Sequence, residues 1–503
     1  MPLGANLYQF STREFVKHTT GVESSHMNNV LFQHHFNVEL TLENTKHIHD
    51  IVLATLSMAI SGSHIGWTSP TLPYLKSNDS HLPTTSNDAS WIVSFYLLGS
   101  IPGNLIAALM VDRYGRKSTL LFAGLPLLFG WILIIFAWNP YVLYTSRFIS
   151  GIGQGITYVV CPMYIGEIAS KNIRGALGSF VKLMVTLGEL YAHTIGPFVD
   201  YHYLAYYCAI IPVVFFLSFV WMPESPYYLI LKKDQNGAAE CLQRLNCYKS
   251  KQGLEEVLDQ MAKTVMKDMT NRGNFWDIFH SIGIRKAVII SFGLQLILQF
   301  SGIAAIESYT QEIMAESDSG LSPGISVIIL SNLQLIAGIA AAVLVDKLGR
   351  RPLLLSTTFL AALALTTSTI FYVVKLYLGR KMNNFGWILD GSVIVYEFVI
   401  ALGLSPLPYM MLGELFPTNI KGIAVSLANI WASILAFFVS KMFQVVTDYC
   451  GIYTSFGFFA ITCFIGIGFI YFVVPETSGK SLLEIQEDFN CHRQRSNQRQ
   501  TNN

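Results

Sequence analysis

Long apolar stretches alternate with short polar ones between residues 51 and 474. Most of the apolar stretches hold about 20 residues, the length that an α-helix needs to cross the hydrocarbon core of a bilayer. Pro and Gly interrupt several of them, which the neighbouring helices of a membrane bundle can accommodate. The pattern predicts twelve membrane-spanning helices, numbered here as first to twelfth span: 51–75, 89–111, 118–138, 141–166, 176–200, 203–222, 286–311, 325–345, 352–376, 386–412, 419–446 and 452–474.

One short charged stretch occurs twice and divides the chain. It reads DRYGRK at Asp112–Lys117 and DKLGRR at Asp346–Arg351, each time between two apolar stretches. The Gly permits a tight turn between two helices. The second copy follows the first by 346 − 112 = 234 residues, about half of the chain. This internal repeat predicts an all-α membrane protein with two six-helix, pseudo-symmetric halves, at residues 51–222 and 286–474.

Composition agrees with a membrane protein and excludes several other classes. Charged residues make up 13% of the chain, against about 25% in soluble domains. The net charge of +1 predicts no nucleic-acid partner. The seven Cys are scattered, which predicts neither a disulfide framework nor a metal site. There is no nucleophile–base motif and no cofactor loop in the sequence, so we expect neither an enzyme nor a bound cofactor.

Basic residues set the expected orientation. They concentrate at the connections that hold the two repeated turns, which the positive-inside rule places in the cytoplasm. The connection near Lys375, Arg380 and Lys381 is an exception. Both termini (1–50 and 475–503) and the polar segment 223–285 are then cytoplasmic. The triplet Asn78-Asp79-Ser80 falls in an outer loop, which makes Asn78 a candidate glycosylation site.

The polar segment between the halves has two possible structures. Its stretch Leu254–Met261 has the pattern of an amphipathic helix, which would lie on the cytoplasmic face. A flexible linker is the alternative.

Charges at the membrane edge recur at fixed offsets. Glu167 and Arg174 are seven residues apart, as are Glu414 and Lys421, and each second-half residue follows its counterpart by 247 residues. Charge at the edge of a membrane is costly and is usually paired. We therefore expect a ring of ion pairs across the inner faces of the two bundles that closes the inside and opens during alternating access. The alternative is a set of solvated surface charges, each worth under about 1 kcal/mol.

These motifs carry a resemblance to a known family. They are DRYGRK, RFISGIGQG at 147–155, PMYIGEIASKNIRGALGSF at 162–180, PESP at 223–226, DKLGRRP at 346–352, GELFPTNIKG at 413–422 and PETSGKS at 475–481. Together they resemble the sugar porters of the major facilitator superfamily, most of all the insect facilitated trehalose and hexose transporters. The resemblance implies the major facilitator fold, a sugar as substrate, a multi-pass protein of the plasma membrane and no required oligomer.

The resemblance also implies which charges form the inner gate. Lys421 stands where Arg is usual, and Lys lacks the planar guanidinium, so its pair should be less fixed in geometry. The inner-gate residues, to which the two Pro-Glu motifs add their Glu, are Asp112, Arg113, Arg116, Glu167, Arg174, Glu224, Asp346, Arg350, Arg351, Glu414, Lys421 and Glu476.

The expected sugar site departs from the family pattern. Gln295 and Gln299 lie four residues apart on one face of the seventh span. Gln334 of the eighth span and Tyr409 of the tenth complete the expected contacts. Departures are Leu298 for a Gln, Ala304 for an Asn, Lys182 for a Gln of the fifth span, and Ala432-Ser433 for an Asn-Trp pair.

Three substrate interpretations follow from these departures. The favoured one is a sugar held by rearranged contacts. The others are a different polar or anionic solute drawn by Lys182, and a degenerate, non-transporting protein. Glu189 follows Lys182 by seven residues, about 10 Å along the helix axis, so we expect no direct pair between them. If Lys182 sets substrate choice, we expect Lys182→Gln to improve the transport of neutral sugars.

His64 bears on energy coupling. In the first span it stands where the resemblance places Asp in proton-coupled members and an uncharged polar residue in passive ones. A charge inside a span is costly, so we expect a neutral His that donates a hydrogen bond and a passive facilitator whose uptake equilibrates. The alternatives are a proton-coupled symporter, with His64 as the proton site, and a non-transporting nutrient receptor, which a tail of about 28 residues after the twelfth span disfavours.

Overall fold

A computed structural model describes residues 49–168, 174–246, 251–270, 282–317, 319–378, 385–416, 418–478 and 484. Within these ranges the regular secondary structure is entirely helical. Eleven helices are long and apolar enough to cross a membrane, and Arg174–Ile195, which carries Lys182 and Glu189, supplies the fifth span and brings the total among the described residues to twelve. The other eleven are His49–Lys76, Ser86–Tyr114, Arg116–Ile135, Pro140–Ile168, Tyr201–Phe219, Gly283–Ala315, Pro323–Val345, Arg350–Tyr377, Gly386–Leu415, Gly422–Cys450 and Ile452–Val473.

The seventh span is broken beside the expected sugar site. It consists of Ile282–Phe300 and Ile303–Ala315. Gly302 joins the two pieces with φ +90°, a conformation that favours glycine. A Cβ at this position would also lie 2.3 Å from the Phe459 ring. The sequence therefore places a fixed break in the helix, three residues after Gln299.

The tenth span contains a π-helical segment, Ile400–Leu404, between the α-helices Gly386–Val399 and Pro406–Leu415. Ser405 donates its backbone N–H to the carbonyl oxygen of Ile400 at 2.9 Å, five residues back. Pro406 follows and has no N–H to donate, so the regular α-helical ladder cannot continue through this position.

Three pairs of spans make the most extensive contacts between the two halves in the described residues. The second span packs against the eleventh, the fifth against the eighth, and the first against the seventh. One apolar core extends across the halves and includes Trp67 and Trp131 of the first half and Tyr309 and Leu412 of the second. The central polar residues thus lie between two bundles that pack directly on each other.

The segment between the halves is helical where the structure describes it. Its helices are Pro226–Leu231, Gln235–Asn246 and Lys251–Thr270. Ile230, Ala238 and Val265 form a small apolar core among them. The described parts of this segment are therefore helical, and its place on the cytoplasmic face stays a prediction.

Candidate functional site

The first cluster of predicted inner-gate residues, called the first inner-side cluster, is built on the turn at Gly115, whose φ is +96°. Glu224 places its Oε1 at the start of the third span, where it accepts the backbone N–H groups of Arg116 at 2.9 Å and Lys117 at 3.0 Å. These are N–H groups that have no partner within their own helix. A carboxylate at this end also interacts favourably with the helix dipole. Glu224 thus caps the third span.

The side chain of Arg116 pairs with Glu167 at the end of the fourth span. Its Nε lies 2.9 Å from Glu167 Oε2, and the Ser225 hydroxyl donates to the same carboxylate oxygen. Arg116 is only 3% exposed, so this is a buried pair with supporting hydrogen bonds and not a solvated surface contact.

The second half repeats the capping contacts. Gly349 has φ +86°, and Glu476 accepts the backbone N–H groups of Arg350 and Arg351, both at 3.0 Å. Burial by itself raises the pKa of Glu476, but these N–H donors, with that of Ser478, hold it below its ordinary value.

The second half also repeats the ion pair. Arg350 Nη2 lies 3.2 Å from Glu414 Oε1, and the Thr477 hydroxyl donates to Glu414 Oε2 at 2.5 Å. Thr477 therefore corresponds to Ser225, and Glu414 to Glu167. The repeat seen in the sequence is thus also a repeat of contacts, residue for residue.

The ion pairs seen at this side lie within the halves, and the expected ring between the bundles, which also involves Arg174 and Lys421, stays a prediction. Among the described residues, each inner ion pair lies within one half: Arg116 with Glu167 and, at 3.6 Å, with Asp112, and Arg350 with Glu414. The reason is local, because each Arg follows a turn whose capping Glu belongs to the same half. Arg113 is exposed beside Tyr114. The side chains of Arg174, Asp346 and Lys421 lie outside the described set.

Polar contacts between the halves lie at the side that carries Asn78. Lys76 of the first span pairs with Glu312 of the seventh at 2.9 Å. Lys441 of the eleventh span donates to Asn87 at 3.0 Å and to Ser90 at 2.6 Å in the second. With that side as the outside, the structure is closed to the outside. Asn78 itself is exposed in the loop after the first span.

Further contacts join the halves nearer the middle of the membrane. His193 Nδ1 lies 2.6 Å from the Ser331 hydroxyl, between the fifth and eighth spans. Ser433, one of the residues that replace the expected Asn-Trp pair, accepts a hydrogen bond from the Ser100 hydroxyl at 2.8 Å. Ser433 thus takes part in a hydrogen bond between the two halves.

Lys182 lies between two carboxylates. Its Nζ is 3.8 Å from Glu189 Oε1 on its own helix and 3.7 Å from Glu307 Oε1 on the seventh span. The expectation that Lys182 and Glu189 do not pair was wrong. Side chains in a helix lean towards its N-terminus, so Glu189 leans towards Lys182, and the long Lys stem spans the remaining distance.

A third carboxylate completes this central cluster, defined as Lys182, Glu189, Glu307 and Glu397. Glu397 is 1% exposed, interacts electrostatically with Lys182, and accepts a hydrogen bond from Gln334 Nε2 at 2.7 Å. The sequence analysis missed Glu307 and Glu397. The signal was present, because an acidic residue inside an apolar span is rare and usually functional.

Among the other expected sugar-site residues, Gln334 and Tyr409 interact with members of this cluster. Gln295 is fully buried and Gln299 is 6% exposed, whereas Tyr409 is 38% exposed and interacts electrostatically with Lys182. Ala304 precedes Glu307 by three residues on the same helix piece and has no polar group. The cluster therefore provides carboxylates in a region where some of the amide side chains of the family pattern are absent.

His64 does not face this cluster. Its ring stacks on Trp131, with 3.9 Å between the ring centroids, and its Nε2 lies 3.0 Å from the carbonyl oxygen of Leu127. Arg147 donates to the backbone oxygen of His64 at 2.6 Å. Because a carbonyl oxygen can only accept a hydrogen bond, Nε2 must carry a hydrogen. Nδ1 has no hydrogen-bond partner, so it needs no hydrogen and the ring can be neutral.

Comparison with known proteins identifies the family. The family model described as "Sugar (and other) transporter" matches residues 29–489, so the chain belongs to this family of membrane transporters. It is 31% identical over 439 residues to the facilitated trehalose transporter Tret1 of Bombyx mori, covering 86% of each chain. It is 32% identical over 446 residues to that of Apis mellifera ligustica, covering 87% of this chain and 88% of the relative.

A solved structure shows the same fold. The proton:xylose symporter XylE superposes with a TM-score of 0.73 at 22% identity, over 89% of this chain and 100% of that chain. The twelve helices thus form the major facilitator fold in two six-helix halves.

Proposed function

We propose that this protein carries a sugar of the trehalose or hexose class across the plasma membrane by facilitated diffusion. The observation that supports this most directly is the polar cluster between the halves, to which the first half contributes Lys182 and Glu189 and the second half Glu307 and Glu397. A site shared by two bundles can open to either side when the bundles rock about it. The family match and the names of the relatives supply the substrate class.

The contacts indicate how the two sides alternate. The inner-side clusters hold each half together as a unit, because their ion pairs lie within the halves. Opening to the outside requires the Lys76–Glu312 pair and the Lys441 contacts to break. Each is a partly exposed contact of modest strength, which suits a transition that occurs in every transport cycle.

Uptake of labelled trehalose and glucose into liposomes that contain the purified protein tests the proposal. We expect saturable uptake that stops when the inside concentration equals the outside one. Gln299→Ala should reduce it, whereas Leu296→Ala is the matched control, since Leu296 lies one turn away and is 40% exposed on the helix surface. Uptake no faster than in protein-free liposomes, for every sugar offered, contradicts the proposal.

The expected orientation has its own test. A tag inserted after Ser77 should react with an antibody in intact cells, and a tag at the C-terminus only after permeabilisation. The reverse pattern refutes cytoplasmic termini.

Proton-coupled transport is the second candidate function. The observation in its favour is the presence of three carboxylates around one ammonium in the central cluster. The comparison of uptake with and without a proton gradient, given in the Discussion, decides between the two candidates.

A further inference from the structure

The central cluster presents carboxylate oxygens that accept no hydrogen bond from the described residues, although two of them face the Lys182 ammonium at 3.7 and 3.8 Å. Glu189 and Glu397 are each 1% exposed, and each has one carboxylate oxygen, Oε1, without a hydrogen bond; Glu307 Oε1 is also buried and without one. Buried polar atoms in native proteins almost always have hydrogen-bond partners. A set of such atoms between two mobile bundles therefore indicates a bound ligand that supplies donors.

An independent observation, at Gln295 of the seventh span, points to a ligand beside the central cluster. Gln295 is fully buried, and neither its amide nitrogen nor its amide oxygen has a hydrogen-bond partner. The Tyr409 hydroxyl lies beside Gln295, without a bond of good geometry. Tyr409 also faces Lys182. The Gln295 amide thus adjoins the central cluster through Tyr409, which interacts with both Gln295 and Lys182.

We infer that Glu189, Glu307 and Glu397 are specificity-determining residues that accept hydrogen bonds from substrate hydroxyl groups. The inference rests on the proposed function, and it assigns to carboxylates the contacts that amides would otherwise make. Glu307 follows Ala304 by three residues, so it lies on the same helix face, and its carboxylate compensates for the apolar side chain there. Lys182 positions Glu189 and Glu307 by its two ion pairs.

The contacts of Lys182 argue against one of the earlier interpretations. Two carboxylates already lie within 3.8 Å of the Lys182 ammonium, so an anion would have to displace them to reach it. Lys182 is therefore not a receptor for an anionic solute. A neutral molecule rich in hydroxyl groups suits the site, because each hydroxyl can donate to a carboxylate and accept from Lys182 or the Gln295 amide.

Fluorinated sugars test the inference, since fluorine replaces a hydroxyl but cannot donate a hydrogen. Inhibition of glucose uptake by the four monofluorinated deoxyglucoses, at positions 2, 3, 4 and 6, is measured in liposomes. Where the replaced hydroxyl donates to a carboxylate, the fluorinated sugar should bind about tenfold or more weakly than glucose, in line with hydrogen bonds to charged groups. This loss of affinity is called the fluorination penalty. We expect such a loss for at least one position in the wild type.

Variants show whether the carboxylates cause the loss. In Glu307→Gln or Glu397→Gln the fluorination penalty should shrink to about threefold or less, because an amide can turn its N–H₂ towards fluorine. Glu312→Gln is the matched control in the same helix piece as Glu307. Glu312 pairs with Lys76 away from the cluster, so the wild-type penalty should persist there, whatever the change in overall rate.

Each other outcome counts against the inference. Uptake by the wild type with no fluorination penalty at any position, or a full penalty in both Gln variants, refutes it and leaves the proposed function intact. Competition by glucose 6-phosphate comparable to that of glucose would show that Lys182 receives anions despite its two carboxylate neighbours. Glucosamine that competes more than tenfold better than glucose would make the cluster a cation site instead. Absence of uptake for every sugar defeats the proposed function and the inference with it.

Discussion

Lys182 of the fifth span lies 3.7 Å from Glu307 of the seventh, so one ion pair joins the two halves in the middle of the membrane. This changes the expected effect of Lys182→Gln. The substitution leaves Glu189 and Glu307 without their shared ammonium, and removal of one partner from a buried pair costs up to about 3 kcal/mol. We now expect reduced thermal stability and reduced uptake, in place of improved transport of neutral sugars.

A double variant separates charge balance from other effects of the substitution. Lys182→Gln combined with Glu307→Gln removes one charge of each sign, so it should recover much of the stability lost in the single variant. The measurement is the melting temperature of the detergent-solubilised protein. If the double variant melts below the single one, charge imbalance is not the cause.

The pair formed by Lys76 and Glu312 is expected to favour the state that is closed to the outside. Either residue changed to Ala should shift the equilibrium towards outward-open molecules by a few-fold, as suits a partly exposed pair. The readout is the labelling rate of a cysteine introduced at Gln311, beside Ser69 of the opposite half, by an impermeant reagent. The charge exchange Lys76→Glu with Glu312→Lys should restore the slow rate; fast labelling in the exchanged protein would argue against the ion pair.

Glu224 and Glu476 should contribute similarly to stability because they cap equivalent helices. Each Glu→Gln change is expected to lower stability at pH 7 by about 1 kcal/mol. The pKa of Glu476 is below its ordinary value in the folded protein, so its contribution is present above the ordinary carboxyl range and is lost as the pH falls through the folded pKa. Melting curves of Glu476→Gln should therefore depend less on acid pH than those of the wild type. Equal acid sensitivity would show that the Glu476 hydrogen bonds do not stabilise the fold.

The surroundings of His64 predict passive transport. Because its ring is stacked on Trp131 and its Nε2 faces a carbonyl oxygen, we expect uptake to equilibrate even under an imposed inward proton gradient, with no membrane potential. Accumulation above the outside concentration that disappears in His64→Ser, while equilibrative uptake survives, would identify His64 as a coupling residue. Accumulation that persists in His64→Ser but disappears in Glu307→Gln would place the coupling in the central cluster.

The fold was largely accessible from the sequence because the bilayer imposes a strong length rule and the chain repeats itself. Runs of apolar residues located the spans, and the copied turn located the two halves. The sequence identified the charged residues of the inner-side clusters, but it did not show which of them contact each other. Spacing shows that Glu167 and Arg116 both lie at the membrane edge, but only the fold shows that they pair with each other within one half.

The central cluster was harder to predict for a different physical reason. Glu307 and Glu397 are distant in sequence from Lys182, and their proximity depends on the break at Gly302 and on how the two bundles pack. The distance between Lys182 and Glu189 was misjudged because rise along a helix axis describes backbones and not side chains. The direction in which long side chains lean decided that contact.

The π-helical segment Ile400–Leu404 lies between Glu397 and Tyr409 and sets their angular relation. Such a segment holds one residue more than the α-helical register requires. Deletion of one residue within it would restore the α-helical register before Pro406 and would turn Tyr409 to another face of the span while Glu397 stayed in place. The extra residue of the tenth span therefore sets the angle about the helix axis between Glu397 and Tyr409. A chain without it would present one of these two residues to lipid or to the wrong helix.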